Sequence, residues 1–214
     1  MKWIYYASLP ITLAVAVASA DDKPLGFEKA DLAKVPAGWK SAQTGKGMSV
    51  WKVVEDKTAP LKTGFALAQT TDDRDALFNL CVLDGASAKD VEASVAFKAN
   101  AGKKDRGGGI VWRYQDANNY YVARMNPLED NVRVYKVVGG KRSAEFQDAE
   151  VKVPSGEWHT LKIKMVGEHI ECFVDDKKYL DVKDGSFTKA GKVGLWTKAD
   201  AQTSFDKFQV KELK

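Results

Sequence analysis

Residues 107–135 read GGGIVWRYQDANNYYVARMNPLEDNVRVY, and this stretch decides the architecture of the 214-residue chain. Two turn clusters, Asp116–Asn119 and Pro127–Asp130, cut it into segments 109–115, 120–126 and 131–137, each of strand length and rich in β-branched and aromatic residues. Directly opposed residues of an antiparallel pair share a face, so each turn fixes a register. The first sets Gln115 opposite Tyr120, Arg113 opposite Val122 and Val111 opposite Arg124. The second sets Asn126 opposite Asn131, Arg124 opposite Arg133 and Val122 opposite Tyr135. Both assign Ile110, Trp112, Tyr114, Tyr121, Ala123, Met125, Val132 and Val134 to a core face. The other face then collects Arg113, Tyr120, Arg124, Asn126, Asn131, Arg133 and Tyr135.

The same period of two continues outward in both directions. Residues 49–56 (SVWKVVED), 64–69 (GFALAQ), 76–83 (ALFNLCVL) and 90–99 (DVEASVAFKA) have strand composition, with an acidic turn at 70–75. Residues 157–176 form a hairpin through Gly167-Glu168 that pairs Leu161 with Val174, Ile163 with Cys172 and Met165 with Ile170. In 192–200, Val193 and Leu195 take the core parity, while Trp196 and Lys198 take that of the polar face. Phe205 and Phe208 mark a closing strand. No stretch of ten residues carries a helical stripe. About eleven short strands joined by turns predict an all-β, two-sheet antiparallel sandwich.

Residues 1–20 have the form of a secretory signal peptide: Lys2, an apolar run from Leu9 to Ala18, and Ala18-Ser19-Ala20 before Asp21-Asp22. That run is too short to span a bilayer, and no later one approaches the roughly 20 apolar residues a span requires. The expected mature chain is one domain, 21–214, in the periplasm or secreted. The full chain has 33 Lys and Arg against 29 Asp and Glu. Its basic pairs, Lys103-Lys104 and Lys177-Lys178, stand beside aspartates, so a nucleic-acid footprint is not expected. In an oxidising compartment Cys81 and Cys172 are expected to form a disulfide, the alternative being two buried thiols. Two cysteines and two histidines do not make the usual four-ligand zinc site without carboxylates.

Four motifs in order carry a resemblance: GGIVWRYQDANNYYVAR at 108–124, GEWHTLK at 156–162, GKVGLWT at 191–197 and FDKFQV at 205–210. Together they resemble the concanavalin A-like (laminin G-like) jelly-roll domains of secreted bacterial proteins, among them carbohydrate-binding modules, laminarinase-type glucanases and 3-keto-disaccharide hydrolase domains. The resemblance implies a jelly-roll sandwich and a sugar ligand, with catalysis in some members. The Glu-x-Asp-x-Glu strand of retaining glucanases, which sets two carboxyls about 5 Å apart, is missing. So are a Gly-x-Ser-x-Gly elbow and a histidine pair at metal spacing.

The polar face is therefore the candidate site. Tyr120, Tyr135 and Trp196 would stack on sugar C–H patches, Arg113, Arg124 and Arg133 would read hydroxyl pairs or an anionic group, and Asn126, Asn131 and Lys198 would complete the set. A solvated sheet face is the plain alternative. The expected partner is a poly- or oligosaccharide bound on a concave face without turnover. Two other readings are a keto-disaccharide hydrolase and an envelope protein-interaction domain. Structural calcium is a further expectation, at Asp116, Asn118 and Asn119 or at Glu129, Asp130 and Asn131, although turn chemistry alone also explains these residues. His159 shares a face with Leu161 and Ile163 and is expected at the core edge.

Overall fold

The computed structural model describes residues 23–72 and 78–213, without the side chains of 144–146. The expected leader and part of the acidic turn at 70–75 lie outside the described residues. Fourteen strands are described: β1 Trp39–Thr44, β2 Trp51–Glu55, β3 Phe65–Gln69, β4 Phe78–Ala88, β5 Val91–Ala101, β6 Gly108–Asp116, β7 Asn119–Asn126, β8 Asn131–Val138, β9 Lys141–Glu150, β10 Trp158–Val166, β11 His169–Val174, β12 Lys177–Lys183, β13 Gly191–Lys198 and β14 Gln202–Glu212. They make two seven-stranded antiparallel sheets in the orders β1-β4-β13-β6-β7-β8-β9 and β12-β11-β10-β5-β14-β3-β2. Among the described residues no helix is long and apolar enough to cross a membrane.

The β7–β8 hairpin has the expected register, Asn126 opposite Asn131, Arg124 opposite Arg133 and Val122 opposite Tyr135. So does β10–β11, which pairs Leu161, Ile163 and Met165 with Val174, Cys172 and Ile170. The core lies between the sheets and includes Trp112, Tyr121, Met125, Val134, Ile163, Leu195 and Phe205. Full burial of an aliphatic side chain of this kind contributes about 1.5–3 kcal/mol, so alternation alone is enough to orient each strand. The glycines before β6 are a close-approach device: a Cβ at Gly107 would lie 2.1 Å from the Met125 carbonyl oxygen.

The β6–β7 hairpin departs from the expected register by two residues. Val111, not Arg113, lies opposite Val122, and Gly109 lies opposite Arg124. The difference is absorbed by an irregularity between Trp112 and Asp116, where Arg113 has a φ of 44°. Arg113 is thereby turned off the polar face and is 1% exposed. Its guanidinium donates to the carbonyls of Lys89 (2.7 Å), Phe187 (2.6 Å) and Gly167 (2.6 Å) and approaches Asp90 at 3.3 Å. Tyr114, expected in the core, instead lies against Tyr120 on the outer face, with ring centroids 6.0 Å apart.

The expected disulfide is also corrected. Cys81 and Cys172 are both buried free thiols. Cys81 is on β4, one strand from the β1 edge of its sheet. Cys172 is on β11, beside β12, which packs against β8 and β9 at the opposite edge of that sheet. Burial raises both thiols, Cys172 to about 12, so each packs as a small hydrophobe.

Candidate carbohydrate-binding face

The face of the β1-containing sheet turned away from the core carries a second apolar layer. Leu80, Val82, Val111, Tyr120, Val122, Tyr135, Val137 and Trp196 are all buried in it. Tyr135 and Trp196 meet edge to face at 6.1 Å, and Trp196 packs on Phe78 at 5.4 Å. The Tyr120 hydroxyl is 2.8 Å from that of Thr44. The Trp196 indole N–H lies near that phenol without making a hydrogen bond to it. The aromatic residues expected to stack on a ligand thus share one face as the sequence suggests, but as a packed layer.

Polar groups gather where this layer meets the β7–β8 turn. Arg124 is 4% exposed; it donates through Nη1 to Asn131 Oδ1 at 2.6 Å and through Nη2 to Glu129 Oε2 at 2.7 Å. Asn126, fully buried, donates to Asp105 Oδ1 at 3.1 Å, and Lys198 Nζ lies 3.1 Å from Asp105 Oδ2. Arg133 continues the network outward to Asp148 at 2.7 Å and Glu129 at 3.4 Å. Of the nine expected site residues, Arg124, Asn126, Asn131, Arg133 and Lys198 belong to this network, Tyr120, Tyr135 and Trp196 to the apolar layer beside it, and Arg113 to neither.

Asp105 and Glu129 belong to the network and were not expected as ligand contacts. Asp105 precedes the glycines that bring β6 against β7, and an acid placed there has to enter the same crowded space; this was its only sequence signal. Burial pushes the Asp105 carboxyl above the ordinary range, and the Lys198 and Arg124 charges offset only part of that cost. Burial also acts to raise Glu129, but the charge and hydrogen bond of Arg124, with Arg133 behind it, outweigh it and hold that carboxyl low. Glu129 and Asn131 face an open depression of about 520 Å³, whose other lining residues are Asp130, Asp148, Glu150 and Lys152. The buried network therefore reaches solvent through polar side chains.

Several of the oxygens proposed for calcium already accept hydrogen bonds. Asp116 accepts from the Asn118 backbone N–H at 2.7 Å and from the Asn119 amide, and the Glu129 and Asn131 oxygens are held by Arg124. In a third group, His169, Glu171 and Asp181, the Lys178 ammonium bonds both carboxylates, at 2.9 and 2.8 Å. His159 lies at the core edge as expected, 2.8 Å from Asp175.

Residues 33–211 match the 3-keto-alpha-glucoside-1,2-lyase-like domain. The chain belongs to this family. No curated protein matches its sequence. Its fold is similar to that of the carbohydrate-binding module CBM66 from Bacillus subtilis, with 20% identity, a TM-score of 0.66, and coverage of 82% of this chain and 96% of that one. It is also similar to a Bacillus subtilis protein of unknown function with a galectin-like fold (12% identity, 81% and 89% coverage, TM-score 0.58) and to the exoplasmic/lumenal domain of VIP36 in its Ca2+/Man-bound form (13%, 88% and 88%, 0.57). The family's sandwich is thus the jelly roll that the four motifs suggested.

Proposed function

We propose that the chain binds a carbohydrate outside the cytoplasm, at the polar end of its outer sheet face. The observation that carries this reading is the Arg124 network: a buried guanidinium, two amides and a buried carboxylate fixed beside an aromatic layer and opening through Asn131 and Glu129 to solvent. Planar polar groups held in place by the packed aromatic layer behind them suit the reading of vicinal hydroxyls. The fold shared with CBM66 supports the reading, and the leader-like residues 1–20 support the location. Arg124 and Arg133 are matched by Glu129 and Asp148, which favours a neutral sugar over a carboxylated or sulfated one. Titration of the chain with neutral and acidic gluco-oligosaccharides tests this: a neutral ligand whose affinity falls in Arg133→Ala supports it, and binding indifferent to that change contradicts it.

A second reading, turnover, is favoured by Asp105. The family description denotes a 1,2-elimination from a glycoside oxidised at C3. In that reaction the C2–H, acidified by the neighbouring carbonyl, gives its proton to a base. Its electron pair forms the C1–C2 double bond as the C1–O bond breaks, and the leaving oxygen takes up a proton. A carboxylate with a raised pKa is a stronger base than an exposed one, and Asp105 is a buried carboxylate of this kind within the network. Incubating the chain with a 3-keto-α-glucoside in deuterated water tests the reading. Deuterium at C2 or an unsaturated ketone product is expected for wild type and lost in Asp105→Asn; equal rates in both would remove Asp105 from the chemistry.

A further inference from the structure

Asp105 sits on the short connection between β5 and β6, which is held by a residue from a different connection. Asp200, in the β13–β14 turn, accepts three successive backbone N–H groups: Lys103 at 2.8 Å, Lys104 at 3.0 Å and Asp105 itself at 3.0 Å. On the other side Arg106 donates through Nε and Nη2 to the Gly102 carbonyl, at 3.1 and 2.8 Å. Gly102 has a φ of 137°, and a Cβ there would lie 1.9 Å from the Asp105 carbonyl oxygen. The connection is thus closed at both ends, and its one buried side chain is that of Asp105. Lys198, which pairs with Asp105, lies two residues before Asp200, so the β13–β14 end supplies both the counter-charge and the backbone clamp.

We propose that Asp200 is a positioning residue for Asp105, fixing its carboxylate against Asn126 and Lys198 so that it can exchange a proton with a sugar bound at the network. This rests on the turnover reading for its purpose, though not for its geometry. The two carboxyls are pushed in opposite directions. Burial raises Asp105. It acts to raise Asp200 too, but the three N–H donors outweigh it and hold Asp200 low. A pair separated in this way divides the work, one group held ionised and the other made the stronger base. The charged and titratable groups facing Asp105 are Lys198 from β13, Arg124 from β7, Tyr135 from β8 and Glu129 from the β7–β8 turn.

The test is a carboxyl-carbon NMR titration of the chain labelled at aspartate, with the Asp105 signal identified by its loss in Asp105→Asn. In Asp200→Asn the Asp105 midpoint is expected to fall toward the ordinary value by about half a pH unit or more as the side chain gains solvent. Gly102→Ala displaces the same connection without changing charge and is expected to move the midpoint in the same direction. This separates clamping from a direct charge effect. An Asp105 midpoint unmoved in both variants would overturn the proposal, whatever their melting temperatures, because a purely structural role predicts lost stability with an unchanged midpoint. Activity on a 3-keto-α-glucoside is a separate arm. If wild type is inactive, the turnover reading fails while the NMR result still decides the positioning; if it is active, Asp200→Asn is expected to lower kcat more than tenfold and shift the pH profile with little change in KM.

Discussion

Arg113 and Tyr114 occupy opposite faces from those that strict alternation gives them. The irregularity after Trp112 sends the arginine to the Lys89, Gly167 and Phe187 carbonyls and the tyrosine to the outer face beside Tyr120. The result is a structural arginine closing one end of the sandwich and a candidate site with one arginine fewer. Arg113→Ala is expected to leave three carbonyls without their donor at a buried position, a cost of about 3 kcal/mol. For a domain of this size that corresponds to a fall in Tm of about 6–12 °C, measured by calorimetry, with sugar affinity per folded molecule unchanged.

Arg124 behaves differently because its partners lead to solvent. Arg124→Ala is expected to abolish sugar binding and to cost about 1–2 kcal/mol, since Glu129 is 36% exposed and keeps Arg133 as a partner. Binding by calorimetry and stability by denaturant titration separate the two effects.

Asp105→Asn is expected to stabilise the fold at neutral pH. The folded-state pKa of Asp105 is raised, so its favourable contribution is complete below the unfolded value and is lost as pH rises through the folded one. At pH 7 wild type carries that cost and the variant does not. The expected result is a higher Tm for the variant at pH 7, a difference that vanishes below about pH 4. A gain in stability coupled to loss of turnover is the expected signature of a functional group.

Both cysteines are expected to react with a thiol reagent only in denaturant, and a reductant is expected to leave the Tm unchanged, because burial keeps Cys81 and Cys172 protonated and no bond joins them. A Tm that falls on reduction would restore the disulfide.

Alternation and turn composition were enough to read the sandwich, the β7–β8 register and the β10–β11 register, because a one-residue slip in any of these would bury charge and expose valines. They failed at Arg113, where the backbone adopts a positive φ that its own residue type gives no reason to expect. A buried arginine and an exposed one also look alike in sequence; only the three carbonyls converging from separate connections tell them apart. Asp105 was hidden for the same reason. Its environment comes from β7, β13 and the Asp200 turn, each distant along the chain from residue 105.

The most direct test of the central claim is calorimetric titration of the chain with a 3-keto-α-glucoside and its unoxidised parent, in wild type and Arg133→Ala. Arg133 is partly exposed, so its loss leaves the fold intact. Saturable binding of either sugar to wild type, weakened at least tenfold in the variant at unchanged Tm, is the expected result. No binding of either sugar, or binding equal in both proteins, would contradict a carbohydrate site at the Arg124 network.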